Sequence, residues 1–344
     1  MKFIYNILLV LLVSVLFQAC SLKTKIKALK AAKVTDTSIR HIGINEFQND
    51  TISQSWQINS ALSSVIINNQ KYFTIVNRKD ITKILEEKRL NDSGLVDLVK
   101  DESSVGLSQM QSLLSGKIIL NDLSSSSFYE KRTNYKRCIK TSSRKGKKYC
   151  TKYASYNVRC KLNKYTLKTN ILLSKISNSK IIFTNTYTKT IQLKHCSDDN
   201  TILESKKSIN SKLAKLIAND IVIDIAPSYI YFNVVLLEST DIELSSSQKA
   251  KFKIALKMID LNRINKAYKL LYKLNKQLNN SSYVVLYDLA ITQESLGNIE
   301  QAYKLYKKAE DIAINKDKVI DEISIAIQRV SKNIKQLYKV KKQL

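Results

Sequence analysis

Residues 39–47 (IRHIGINEF) alternate apolar and polar positions, which predicts a strand. Asn49-Asp50-Thr51 then supplies helix-start chemistry, and Trp56, Leu62 and Ile66 form an apolar stripe through about Gln70, with Trp56 on the core side. Tyr72 to Val76 reads as a short buried strand. Asn77 to Asp80 caps a helix through Arg89, with Ile81, Ile84 and Leu85 on one face. A loop around Ser93-Gly94, a helical stretch near 104–114 and a strand from Lys117 to Leu120 follow. Two β-rich runs, 161–175 and 181–195, flank Ser177-Asn178-Ser179. Their odd positions are mainly apolar (Tyr165, Leu167, Ile171, Leu173, Phe183, Tyr187, Ile191, Leu193) and their even positions mainly Lys and Thr, so one face is buried and the other wet. Residues 202–223 are an amphipathic helix with Leu213, Leu216, Ile217 and Ile221, and Ala226-Pro227 closes the region. Residues 229–238 form one more strand, and from about 246 the pattern is helical. This order predicts an α+β domain, with helices packed on a mostly antiparallel sheet, followed by an all-α region.

Within the helical region, DLNRINKAYKLLYK (260–273) matches SLGNIEQAYKLYKK (295–308) at an offset of 35 residues. The spacing resembles the tetratricopeptide repeat, whose period is about 34 residues. Ala255 and Ala267 in the first copy, and Ala290, Gly297, Ala302, Tyr306 and Ala309 in the second, are the expected packing positions. Small residues there let paired helices approach closely. Asn262 replaces the Gly in the first copy, Gln293 sits where an aromatic is usual, and no Pro ends the unit.

The N-terminus sets the expected compartment. A single Lys2 precedes an apolar run from Ile7 to Phe17, then Ala19-Cys20. That run is too short to span a bilayer comfortably and has the layout of a secretory signal. The small residue before Cys20 resembles the lipobox of bacterial lipoproteins, which implies that Cys20 becomes the acylated first residue. The expected location is the periplasmic space, with a lipid anchor in the outer membrane.

In an exported chain the other four cysteines meet an oxidising environment. Antiparallel partners share a constant index sum. Cys160 and Cys196 sum to 356, centred on Asn178, a register that also sets Tyr165 opposite Ile191, Ile171 opposite Asn185 and Leu173 opposite Phe183. Cys138 and Cys150 sum to 288, centred on Arg144. Directly opposed residues lie within disulfide reach, so the expected bonds are Cys138–Cys150 and Cys160–Cys196.

Charge is the other strong signal. The 344 residues carry 57 Lys+Arg against 29 Asp+Glu, a formal net charge of +28. From Lys131 to Cys196 there are 18 Lys/Arg and no Asp or Glu, with Tyr135, Tyr149, Tyr153 and Tyr156 interleaved. Lys131, Arg132, Lys136, Arg137, Arg144, Lys145, Lys147 and Lys148 are the candidate basic surface. It would take an acidic envelope ligand or serve as a solvated face; nucleic acid is not the expected partner of an exported chain. Two His, no CxxC, no P-loop, no Rossmann glycine run and no HExxH leave no expected catalytic site, metal or cofactor. Asp198-Asp199 and Glu86-Glu87 read as solvated acids.

The stretch NDTISQSWQINSALSSVI…FTIVNRKDITKILEEKRLNDSGLVD…LLSGKI is similar to the CsgG family of curli-secretion lipoproteins. The resemblance is carried by Cys20, the helix after Phe47, Val76-Asn77-Arg78 before a helix ending in Glu86-Glu87-Lys88, Leu114-Ser115-Gly116 with its strand, and the strand pair ending at Thr190-Ile191. It covers roughly residues 38–226 and implies a periplasmic domain tethered to the outer membrane, often in a ring-shaped homo-oligomer. It divides the chain into a signal peptide (1–19), a tether (20–37), a CsgG-like domain (38–227), a linker or strand (228–245) and a repeat-bearing helical domain (246–344). The pore-forming hairpins of the curli exporters are not matched. Residues 124–160 hold eleven Lys/Arg, and each costs about 2–4 kcal/mol on a lipid face at mid-bilayer. Three roles are consistent with these features. The first is a non-catalytic envelope lipoprotein that helps assemble or export surface structures, or holds envelope protein partners through its repeats. The others are a secretion-channel subunit and an activator of a cell-wall synthase.

Overall fold

The computed structural model describes residues 22–76, 81, 86, 89, 110–200 and 202–344. Cys20, the signal segment, most of the helix expected over 77–89 and the loop at Ser93-Gly94 lie outside the described residues. The chain divides into two compact units. One holds the described residues up to Ala31 together with Pro227–Gln343, and the other holds Ala32–Ala226.

The segment expected as a tether contains a strand, β1 (Lys23–Lys30), in which Ile26 and Ala28 are buried. KTKIKALK sets its small and apolar residues at alternate positions, and that is the period of a half-buried strand. Its partner comes from far along the chain and is described below.

The Ala32–Ala226 unit is built on a five-stranded sheet. A 3₁₀ turn at Thr37–Arg40 precedes β2 (His41–Ile44). Helix α1 (Gln54–Ser63) follows, its first turn held by Asp50, which accepts from the N–H groups of Gln54 (2.6 Å) and Ser55 (2.9 Å). This helix stops short of the expected Gln70. Asn68 and Asn69 both take positive φ, and they turn the chain between the two short strands β3 (Ile66–Ile67) and β4 (Gln70–Lys71). Strand β5 (Thr74–Val76) runs parallel to β2.

Strand β6 (Ser112–Arg144) begins where a helix was expected to end, and it continues well past Leu120. It turns at Lys145-Gly146 into β7 (Lys147–Lys175), which pairs in turn with β8 (Ile181–Cys196). The sheet order is β5-β2-β6-β7-β8. Its long strands are antiparallel, but β2 pairs in parallel with both β5 and β6, so the sheet is mixed. Parallel neighbours need a crossover, and α1 supplies one between β2 and β5.

Helix α2 (Lys206–Ile225) starts at Ser205, whose side chain accepts from the Ser208 N–H, and it packs on β7, β8 and α1. Its buried stripe of Ile209, Leu213, Ile217 and Ile221 covers the face that carries Tyr165, Leu167, Ile171, Leu173 and Tyr187. Asp224, near the end of α2, accepts from the Tyr187 hydroxyl (2.8 Å) and pairs with Lys33 (2.9 Å). Burial pushes the Tyr187 phenol upward, and the Asp224 carboxylate adds to the rise. Ile81 and Met110 cover part of the opposite face against Val76, Leu113 and Ile176, so packing is not confined to one side.

Gly116 shows how tightly these layers meet. A Cβ there would lie 2.4 Å from the Phe47 ring and 2.7 Å from the carbonyl oxygen of Asn170 on the neighbouring strand. Gly116→Ala is therefore expected to destabilise this unit by about 1–3 kcal/mol. Urea unfolding checks it; an unchanged midpoint would contradict the packing.

The second unit opens with β9 (Ser228–Val235), which pairs antiparallel with β1, from Lys23 opposite Val235 to Lys30 opposite Ser228. Five helices follow: α3 (Ser246–Asp260), α4 (Ile264–Gln277), α5 (Tyr283–Ser295), α6 (Ile299–Ile314) and α7 (Asp321–Lys341). Each packs on the next. Helix α5 is buried from Tyr283 to Glu294, which explains why YVVLYDLAI shows no amphipathic period.

The two helix-to-helix turns, α3–α4 and α5–α6, repeat at the sequence offset of 35. Asn262 and Gly297 both take positive φ. Asn262 N–H donates to Ile259 O and Gly297 N–H to Glu294 O, and Arg263 N–H donates to Met258 O as Asn298 N–H does to Gln293 O. Asn is the non-glycine residue that best tolerates this conformation, so the departure from Gly at 262 preserves the turn. Ala255, Ala267, Ala290, Ala302, Tyr306 and Ala309 are all fully buried.

Candidate functional site

The chemistry that sets this chain apart lies on the β6–β7 ribbon. Strand β8 pairs with β7 only as far as Cys160, which stands opposite Cys196. Beyond that point residues 129–144 and 147–159 continue as a two-stranded arm. At about 3.3 Å per residue the arm is roughly 50 Å long. Among the described residues neither strand has a third partner there, and most of the arm's residues are exposed.

The base of the arm is clamped. Cys160 and Cys196 are joined, with Sγ atoms 1.95 Å apart, and both are fully buried beside Val158. The Arg132 guanidinium lies 2.8 Å from Asp198 and 3.1 Å from Asp199. The Tyr156 hydroxyl, directly across the ribbon from Arg132, donates to Asp198 at 2.8 Å. The Cys196 N–H donates to Asp199 (2.7 Å). That backbone bond, with the Arg132 contact, holds the Asp199 carboxyl below its ordinary value. The hydrogen bond to Asp198 raises the Tyr156 phenol. Glu130 pairs with Lys194 at 2.6 Å. Asp198 and Asp199 are thus the counter-charges of the arm's root rather than solvated acids. Their role was hidden in the sequence because their partner lies 66 positions away in the chain.

The distal arm is different. Lys136, Arg137, Arg144, Lys145, Lys147 and Lys148 are exposed, as is Lys131 nearer the base, and no carboxylate among the described residues comes within ion-pair reach of any of them. Arg132 alone of the eight candidate cations is spoken for. Cys138 and Cys150 are joined across the arm (Sγ–Sγ 2.07 Å, Cα–Cα 5.8 Å). The β7–β8 register expected from index sums is the one observed, with Tyr165 opposite Ile191, Ile171 opposite Asn185 and Leu173 opposite Phe183. The arm's register is not. Lys145 and Gly146 take positive φ and form the turn, so Cys150 faces Thr141 and Cys138 faces Tyr153. Irregular pairing between Asn134 and Thr141 brings the two cysteines together even so. Tyr135 and Tyr153 pack edge to face with ring centroids 5.2 Å apart.

The described residues thus define a protein of two units: a mixed sheet with helices, bearing a basic disulfide-tied arm, and a helical unit built on a two-stranded ribbon. No family model matches the chain, and no curated protein does. Among solved structures, the chain is aligned with the PelC dodecamer from Paraburkholderia phytofirmans at 10% identity and a TM-score of 0.24, covering 59% of this chain and 97% of that one. Lipoprotein GNA1162 from Neisseria meningitidis aligns at 9% identity and a TM-score of 0.23, covering 53% and 96% respectively. These scores are too low to bear on the fold, which rests on the topology above. No helix among the described residues is long and apolar enough to cross a membrane.

Proposed function

We propose that this chain is a non-catalytic lipoprotein of the CsgG type, anchored through Cys20 in the outer membrane and facing the periplasm. Its arm engages an acidic envelope ligand, and its helical unit, a pair of tetratricopeptide-like repeats closed by α7, holds a protein partner in the assembly or export of surface structures. The observation that carries this reading is the arm itself. Its distal part projects a run of cations with no carboxylate of the described residues in ion-pair reach, and like charges on one ribbon repel until a polyanion neutralises them. Two cysteine pairs at bonding distance fit an oxidising compartment. The repeated turns at Asn262 and Gly297 support the repeat assignment. A secretion channel is disfavoured, because charged and polar residues populate both faces of the arm.

Charge reversal on the arm tests the ligand. Lys136→Glu, Arg137→Glu, Lys147→Glu and Lys148→Glu together are expected to weaken binding to an anionic polymer such as heparin by about a hundredfold or more, and to flatten its salt dependence. A variant that elutes from heparin at the parent's salt concentration would refute the role given to the arm. Cys20→Ser is expected to release the protein from the membrane fraction, as read by fractionation of the native host; retention there would refute the anchor.

A further inference from the structure

A groove of about 610 Å³ lies between the first turns of α1 and α2, in the same unit as the arm and formed by other elements. Trp56 lines it and is 61% exposed. The sequence pattern expected this residue in the core. An indole left in water beside a concave surface is an informative exception to ordinary burial.

Lys206 and Lys207 stand on the opposite wall. They occupy the first turn of α2, which contains no acidic residue. Cations at a helix N-terminus oppose the helix dipole, and an anion there would be favoured. The backbone N–H groups of Lys206 and Lys207 precede the helix ladder and have no acceptor among the described residues, whereas those of Ser208 and Ile209 are taken by Ser205. The acids nearby in sequence are already engaged: Glu204 holds Lys212, and Asp50 caps α1.

A second observation is independent of the helix terminus. Asn210, one turn into α2, is only 8% exposed and lines the groove. Its side-chain amide makes no hydrogen bond with any described residue. The residue is buried, but its amide atoms are not sealed in the core, so they are free to meet a group that enters the groove. Gln57 and Ser211 add polar groups to a lining that Ile52 and Trp56 make largely apolar.

We propose that the groove binds an acidic saccharide. A sugar carboxylate takes the free N–H groups and ammonium groups of Lys206 and Lys207. The C–H face of the ring lies on the Trp56 indole, and ring hydroxyls pair with Asn210 and Gln57. The volume suits a short oligosaccharide. The apolar lining around the indole calls for an apolar ring face, which a free inorganic anion lacks, and the Asn210 and Gln57 amides set into it call for hydroxyl partners, which an acyl chain lacks.

The chain has one tryptophan, so its emission reports on this groove alone. The full chain is titrated with oligogalacturonate, a neutral malto-oligosaccharide of equal length, inorganic phosphate and phosphatidylglycerol vesicles. Oligogalacturonate is expected to change the emission saturably at concentrations about tenfold or more below those needed with the neutral sugar. Lys206→Glu with Lys207→Glu should weaken that response by about tenfold or more, whereas the charge-reversed arm should leave it intact. Circular dichroism confirms folding, and Lys206→Gln with Lys207→Gln replaces the reversal if it unfolds α2. Equal response to the neutral sugar, a response to vesicles or phosphate alone, a response that survives the lysine substitutions in a folded chain, or no response to any probe each overturns the proposal. Loss of heparin binding in the arm variant with this signal preserved would separate the two sites.

Discussion

Glu294→Ala is expected to unfold the helical unit under conditions in which the parent chain remains folded, at a cost of about 3–5 kcal/mol. Glu294 lies in the last turn of α5 and its side chain is 2% exposed; that of Arg329 on α7 is 9% exposed. The two meet in a bidentate pair, Arg329 Nε to Oε1 at 3.0 Å and Nη2 to Oε2 at 2.7 Å. The hydroxyl of Tyr306 on α6 donates to the same carboxylate at 2.9 Å, and its ring packs 5.6 Å from that of Tyr287. Three helices therefore converge on one buried carboxylate. Its removal strands a guanidinium and a phenol out of water, and the desolvation of each is no longer offset. Replacing both charged partners, Glu294→Gln with Arg329→Met, should cost far less than either truncation alone, because no buried charge is left without a partner. Urea unfolding of the full chain followed by circular dichroism gives both numbers. A loss below about 1 kcal/mol for Glu294→Ala would mean that the pair is effectively solvated.

Removing the Cys160–Cys196 bond should produce the second large effect. It closes a stretch with a sequence separation of 36, and by the chain-entropy argument that is worth about 4 kcal/mol. Cys160→Ser with Cys196→Ser should lower the stability of the Ala32–Ala226 unit by up to that amount. It should also speed amide exchange where the arm leaves the sheet, around 128–134 and 153–159. Cys138→Ser with Cys150→Ser makes the contrast. That bond lies far out on an exposed ribbon with no core beneath it, so its loss should fray the tip and leave the unfolding midpoint unchanged. If both double variants shift the midpoint alike, the arm is not the separate extension described here.

Much of this was legible along the chain, wherever the determinant is a local period. Alternation over 161–195 predicted a strand pair with its buried face, and a constant index sum fixed its register, because a two-sided strand cannot slip by one residue without exposing its core. The 35-residue offset marked turns whose hydrogen bonds repeat at that same offset, Asn262 standing in for Gly297.

Tertiary structure decided what depends on distant partners. Lys23–Lys30 reads as a tether because its mate, β9, lies two hundred residues on. The parallel pairing of β2 depends on where a crossover returns, which no periodicity records. Arg132 looked like one more exposed cation until the chain after β8 delivered Asp198 and Asp199 to it. Trp56 lies on an apolar stripe, yet α2 packs beside it and leaves the indole open to water. A period specifies which side of an element is apolar; only the packed neighbours determine how much of that side is covered.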